Sequence, residues 1–231
     1  MKWTAFFPIF THATQYVMSM LNCIKVPKAA GFGEIEKFNR FAIDCVPWPD
    51  SFPYKPKVEV SIAHSDNSLL IRFDVEEEGC RAVCTEPNGP VWEDSCVEFF
   101  VKKPESDYYY NFETSCIGIG LAGKRKSRSD FRHFTPEEMA QIKRRAALPC
   151  RPFEKEGVTA WSVELEVPFK SIGLGAKQTE TDNTVPGTLL ANFYKCGDKT
   201  LKPHYLSWSP VLTPSPDFHR PEYFGKLELI W

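Results

Sequence analysis

The stretch Trp161-Ser162-Val163-Glu164-Leu165-Glu166-Val167-Pro168 decides the fold class. Trp161, Val163, Leu165 and Val167 are apolar, and Ser162, Glu164 and Glu166 between them are polar. That period of two belongs to a strand with one buried face. Pro168 has no N–H for a ladder and ends the run. The same period recurs upstream. Val58, Val60 and Ile62 alternate with Lys57, Glu59 and Ser61, and Leu69, Ile71, Phe73 and Val75 alternate with Arg72, Asp74 and Glu76. Ser65-Asp66-Asn67-Ser68 between those two runs reads as a hairpin turn. Phe41, Ile43 and Cys45 continue the pattern, and further strand-like runs lie at 94–101, 108–115, 189–195, 204–208 and 226–231.

Short strands separated by turns, in a chain with 19 Pro and 13 Gly, argue for an all-β antiparallel sandwich over a βαβ fold. One helix is expected, over 135–146. Thr135 is an N-cap, Pro136 stands at the first helical position, Glu137 and Glu138 fill the first turn, and Lys143, Arg144 and Arg145 fill the last. No repeat or linker divides the chain, so a single domain over 1–231 is expected, with residues 1–39 an irregular N-terminal arm holding one strand near 21–26.

The composition narrows the function. The 231 residues are 42% apolar and 14% aromatic, enough for a core without staples. A formal net charge of −2 is a poor match to general nucleic-acid binding. No apolar run reaches spanning length, so membrane insertion is not expected. The eight cysteines show no C-x-x-C spacing. Cys80 and Cys84 have no nearby His, which speaks against zinc there, and free, mostly buried thiols are expected. The first residues, Met1-Lys2-Trp3-Thr4-Ala5-Phe6-Phe7-Pro8, carry one Lys and a short apolar stretch broken by Pro8, and no convincing export signal.

The most informative polar segment is Val91-Trp92-Glu93-Asp94-Ser95-Cys96-Val97-Glu98-Phe99-Phe100-Val101. Read as a strand, it puts Val97, Phe99 and Val101 on a core face. Trp92, Asp94, Cys96, Glu98 and Phe100 fall on the other face. An aromatic ring beside two carboxylates makes that face either solvent-washed or a polar site. Polar-aromatic clusters follow at 109–113 (YYNFE), 191–198 (ANFYKCGD), 204–210 (HYLSWSP) and 216–229 (PDFHRPEYFGKLEL).

Taken in order, these pieces, with WSVELEVPF at 161–169, resemble the family 9 carbohydrate-binding modules, in the family-9-like form common in gut Bacteroidetes. The resemblance spans residues 40 to 231. It implies a jelly-roll-like β-sandwich that binds a saccharide, serves polysaccharide breakdown and is secreted or periplasmic. It implies a pyranose clamped between two tryptophans, matched by Trp92 and Trp208, with an acidic residue six positions after the first, matched by Glu98. Asn111 and Glu113 are placed by position only. Asp94, Asn192, His204 and His219 lie within the matching motifs and complete the candidate ligand set. Structural calcium occurs in some members, with no ligands placed in this chain, and no other cofactor is implied.

The chemistry of the residues agrees. An indole covers the apolar C–H face of a sugar ring, and carboxylates and amides pair with its hydroxyls. Two carboxylates on one strand also suit a glycoside-processing enzyme, the competing reading, which reducing-sugar release would detect. Haem binding is disfavoured because the four Met lie outside the motifs. The basic stretch Lys124-Arg125-Lys126-Ser127-Arg128, opening an insertion over 124–150, reads as a solvated loop and helix face rather than an anion site.

Overall fold

The computed structural model describes residues 21–35, 37, 40–175 and 185–231. Of the arm expected at 1–39, residues 1–20, with Trp3, and 36, 38 and 39 lie outside the described residues. Two sheets pack face to face. The five-stranded sheet has the order β2-β3-β4-β10-β9, from β2 (Arg40–Ala42), β3 (Lys57–His64), β4 (Ser68–Ala82), β9 (Lys143–Ala146) and β10 (Phe153–Pro168). The eight-stranded sheet has the order β1-β13-β11-β5-β6-β7-β8, from β1 (Cys23–Val26), β5 (Cys96–Lys102), β6 (Tyr109–Ser115), β7 (Gly120–Arg125), β8 (Phe131–His133), β11 (Thr188–Cys196) and β13 (Gly225–Leu229), with β12 (Tyr205–Ser207) beside β11. The β1–β13 pair is parallel and the other pairs are antiparallel.

The alternation at 161–167 is realised in full. Trp161, Val163 and Leu165 of β10 lie opposite Val75, Phe73 and Ile71 of β4, and Pro168 is the last residue of its strand. The register shifts between Lys155 and Val158, where Gly157 takes φ 76°, a conformation open to glycine and strained for most other residues. Val97, Phe99 and Val101 point between the sheets and are fully buried, as expected. The opposite face of the eight-stranded sheet is also covered. Phe100, Tyr109 and Tyr194 pack there under loops carrying Trp48, Val91, Phe218 and Phe224, a second apolar cluster.

Two expectations need correction. The helix expected over 135–146 ends early. Besides α1 (Phe32–Ile35), the described residues contain α2 (Pro136–Met139), which has the expected Thr135–Glu138 capping box. Lys143–Ala146 is instead β9, paired with β10. There Lys143 and Arg145 reach Glu166 and Glu164 at 2.9 and 2.6 Å. Cross-strand charge pairing with the sheet outweighs a helical preference too short to bury a face. The strand expected from residue 94 begins at Cys96, and Val91–Glu93 form a 3-10 turn. Trp92 and Asp94 are therefore not on the strand face that carries Glu98.

The inter-sheet core contains a polar island. Lys195, on the inward face of β11, places Nζ 2.9 Å from Glu77 Oε2, 2.8 Å from His204 Nε2 and 2.9 Å from the Cys196 carbonyl. Trp161 Nε1 donates to Glu77 Oε1 at 2.7 Å. Burial, and then the Lys195 charge, hold His204 well below the usual imidazole range. A neutral ring accepting from Lys195 at Nε2 donates from Nδ1 to the Lys202 carbonyl, 2.7 Å away.

Candidate functional site

Beside the second apolar cluster, the outer face of the eight-stranded sheet forms the floor of a cavity of about 330 Å³. Neighbouring strands supply the floor. Glu98 of β5 lies directly opposite Glu113 of β6, and Arg125 ends β7. Asn111 ties two of these together: its Nδ2 donates to Glu113 Oε1 at 2.9 Å, and its Oδ1 accepts from Arg125 Nε at 2.8 Å. Gly123 stands opposite Asn111, where a Cβ would come within 3.0 Å of that Oδ1, so a small residue is what lets the network close. The Arg125 guanidinium lies over the Phe131 ring, 4.2 Å from its centroid.

The walls come from loops. Trp92 sits in the 3-10 turn, anchored by the buried Val91. The turn is pinned because the carbonyls of Trp92 and Glu93 accept from the N–H groups of Asp198 and Lys199. The Trp92 side of the cavity is open, with the residue 37% exposed. Phe218 and His219 form part of the lining, and His219 Nδ1 is 3.0 Å from the Tyr109 hydroxyl.

The floor is electrostatically unusual. Burial, and then the neighbouring Glu113 charge, push Glu98 well above the usual carboxylate range. Burial pushes Glu113 up to about 7, against the opposing pull of Arg125 and the Asn111 hydrogen bond. Burial, helped by Arg125 and Arg128, pushes His219 down to about 3. Near neutrality the floor therefore holds carboxyl protons and a neutral imidazole, so it presents both donors and acceptors.

This has a consequence for stability. A carboxyl whose folded pKa is raised binds a proton in the native state that the unfolded state releases. Its stabilising contribution is present below the unfolded value of 4.5 and is lost as pH rises to about 7. Urea titrations should show stability falling across that window by up to roughly 3 kcal/mol through Glu113. Glu113→Gln should flatten the fall; parallel curves for the two proteins would refute the shift.

Of the residues expected from sequence, the cavity brings together Trp92, Glu98, Glu113 and His219, with Asn111 directly behind them. Four others do not line it. Trp208 is 4% exposed and packed in the inter-sheet core against Phe41 and Phe193, each with ring centroids at 5.5 Å. The expected clamp between Trp92 and Trp208 is therefore not formed. Asp94 is buried and accepts from Arg81 and from the Val83 and Cys84 N–H groups, which satisfies a loop. Asn192 accepts from the Phe193 and Ser209 N–H groups and donates to the Ser209 carbonyl. His204 belongs to the Lys195 island.

Sequence reasoning missed Arg125, Arg128, Phe131, Asp198, Tyr205 and Phe218, which also line the cavity. For Arg125 a signal existed: Leu121, Gly123 and Arg125 alternate in β7 and share the face of Asn111 and Glu113. Arg125 is buried where a solvated face was expected.

Calcium prefers a shell of oxygen ligands. The one group of three or more His, Cys, Asp or Glu donors found among the described residues contains two thiols, so it does not fit calcium.

The chain matches the family model described as carbohydrate-binding family 9 over residues 30–229. No curated protein matches. Among solved structures, it is similar to a Bacteroides uniformis protein assigned provisionally to carbohydrate binding. Identity is 34% and the TM-score 0.82, with 91% of this chain and 100% of that one covered. It also shares its fold with a family 9 module from Caldicellulosiruptor kristjanssonii. The glucose complex of that module gives 10% identity and a TM-score of 0.53, covering 90% and 96% of the two chains; the cellotriose complex gives 11% and 0.51, covering 90% and 93%. With the family model covering the sandwich from before β2 to the end of β13, the chain belongs to carbohydrate-binding family 9.

Proposed function

We propose that the chain is a non-catalytic saccharide-binding module that seats one sugar ring in the cavity, with the Trp92 indole against its C–H face and Glu98, Glu113 and Arg125 at its hydroxyls. The observation that carries this reading is an open indole set over a buried floor of paired donors and acceptors. An apolar wall with a few convergent polar groups is the pattern of a small-ligand site, and a sugar ring has the matching two-sided chemistry. Phe218 and His219 take the place in the lining that a second tryptophan was expected to fill. Because the family 9 module of known complexes holds glucose and cellotriose, glucose and short glucans are the first ligands to try, and the role follows as support for polysaccharide breakdown.

A one-sugar site buries little area, so affinity should lie in the micromolar to millimolar range, about −8 to −4 kcal/mol. Trp92→Ala should weaken binding by roughly 10- to 100-fold, because a stacking wall is lost while the hydroxyl partners remain. Calorimetric titration with the best hit from a glycan array, glucose and cellotriose included, measures this. Wild-type affinity in Trp92→Ala would remove Trp92 from the site. Release of reducing sugar in the same mixture would favour glycoside processing by the Glu98–Glu113 pair.

A further inference from the structure

Beneath the cavity, the outer face of the sheet brings two thiols next to a carboxylate. Cys96 of β5 and Cys196 of β11 are direct cross-strand partners, and Glu98 follows Cys96 by two residues on the same face. One ligand atom from each of the three lies within 4.8 Å of the others, and Cys196 Sγ is 3.0 Å from Glu98 Oε1. Cys196 and Glu98 line the cavity, so an ion could reach them from solvent. A separate observation lies on the adjoining strand. Glu113, opposite Glu98 and 4% exposed, has an Oε2 atom without a hydrogen-bond partner although it lines the same cavity. A buried carboxylate oxygen left unpaired is costly.

From this geometry we infer that Cys96, Cys196 and Glu98, with Glu113 as the fourth donor, form a site for a thiophilic divalent cation of the zinc class. Tetrahedral zinc with sulfur at about 2.3 Å and oxygen at about 2.0–2.2 Å needs ligand atoms roughly 3.3–3.8 Å apart. The ligand atoms of Cys96, Cys196 and Glu98 lie within 4.8 Å of one another, so shifts of about 1 Å or less bring them to that spacing, and Glu113, outside that group, has to swing in from the neighbouring strand β6. Two sulfurs select zinc or cadmium over magnesium and calcium. On binding, each thiol, and each of the two carboxyls where it is protonated, releases its proton to the buffer as the metal–sulfur and metal–oxygen bonds form. No oxidant or reductant takes part, and the nearby Arg125 offsets part of the resulting negative charge. The inference does not depend on the saccharide reading, since the ligand is the ion itself.

The test uses the full chain, reduced and stripped with chelator, carrying Cys23→Ser and Cys150→Ser to remove the two exposed thiols. Cadmium chloride is titrated while the ultraviolet thiolate-to-cadmium charge-transfer band is followed, and zinc chloride then competes. One equivalent should saturate the band and raise the melting temperature, and magnesium and calcium should do neither. Cys196→Ser should abolish the band, and Glu113→Gln should weaken cadmium affinity by about 10- to 100-fold. Glu113→Gln leaves both thiols in place, so it keeps the test open if Cys196→Ser does not fold. Absence of the band at excess cadmium, or an equal band in Cys96→Ser, would each overturn the site. Saccharide titration of the chelated protein fails or succeeds independently of these results.

Discussion

Trp208→Ala is expected to destabilise the protein by about 3–5 kcal/mol, read as a lower denaturant midpoint. The same substitution should leave the saccharide affinity of the folded protein unchanged. Trp208 lies between the sheets, in ring contact with Phe41 and Phe193, and its backbone is fixed as well. Its N–H donates to the Phe193 carbonyl, and its own carbonyl accepts from Asn22. Gly225 leaves space for the indole, since a Cβ there would fall 2.6 Å from Trp208 Cζ3. Removing the ring leaves a large cavity with rigid walls. Trp92→Ala is the mirror experiment: its half-open ring should cost little stability and much binding. Loss of saccharide binding in Trp208→Ala with an unmoved midpoint would restore the two-tryptophan clamp.

The contrast between these tryptophans shows what sequence could and could not specify at the site. Both stand beside motifs rich in aromatic and polar residues. What separates them is the backbone. Trp208 immediately follows β12, whose pairing with β11 aims the indole into the core, whereas Trp92 lies in a 3-10 turn held away from it. Sequence periodicity gives the face of a residue only inside a regular strand, and neither position is inside one. Glu98 is inside one, and the alternation of 97–101 puts it on the outer face, where the structure has it opposite Glu113. Asp94 and His204, just before strands, and Asn192, in the middle of β11, lie off the cavity for another reason: polar side chains satisfy nearby backbone groups as readily as they meet a ligand. Phe218 and Asp198 reach the cavity from loops, whose course no period encodes.

At the level of the fold, the strands were readable because each has one face in the inter-sheet core. The 161–167 stretch and its partner at 69–75 alternate cleanly for that reason. The 143–146 segment was not readable, because its charges suit a helix C-terminus and an edge strand equally. Its pairing with Glu164 and Glu166, about twenty residues away, decides between them. Buried charge within the core was likewise invisible. Lys195 occupies an inward position of β11 in a run that otherwise reads as a normal strand.

That lysine carries the second large expected effect. Lys195→Ala should destabilise the fold by about 3–5 kcal/mol, because it leaves the fully buried Glu77 without its cation and His204 Nε2 without its donor. The cost comes from the stranded partner more than from the lost attraction. The combination Lys195→Met with Glu77→Gln should therefore be markedly less harmful than Lys195→Ala alone. Methionine fills the space left by the lysine stem, and glutamine keeps an acceptor for Trp161 Nε1, which now donates to Glu77 Oε1. Guanidinium unfolding of wild type, Lys195→Met, Glu77→Gln and the double variant gives the coupling directly, with Lys195→Ala measured beside them. A pH series adds an independent check. The lowered His204 pKa contributes stability that is present above the unfolded value of 6.5 and lost as pH falls toward the folded one. Lys195→Met, which removes the neighbouring charge that helps hold His204 neutral, should reduce that acid sensitivity. A cost below about 1 kcal/mol for Lys195→Ala, the range of an exposed ion pair, would show that water reaches the island and that its charges are not held in the core.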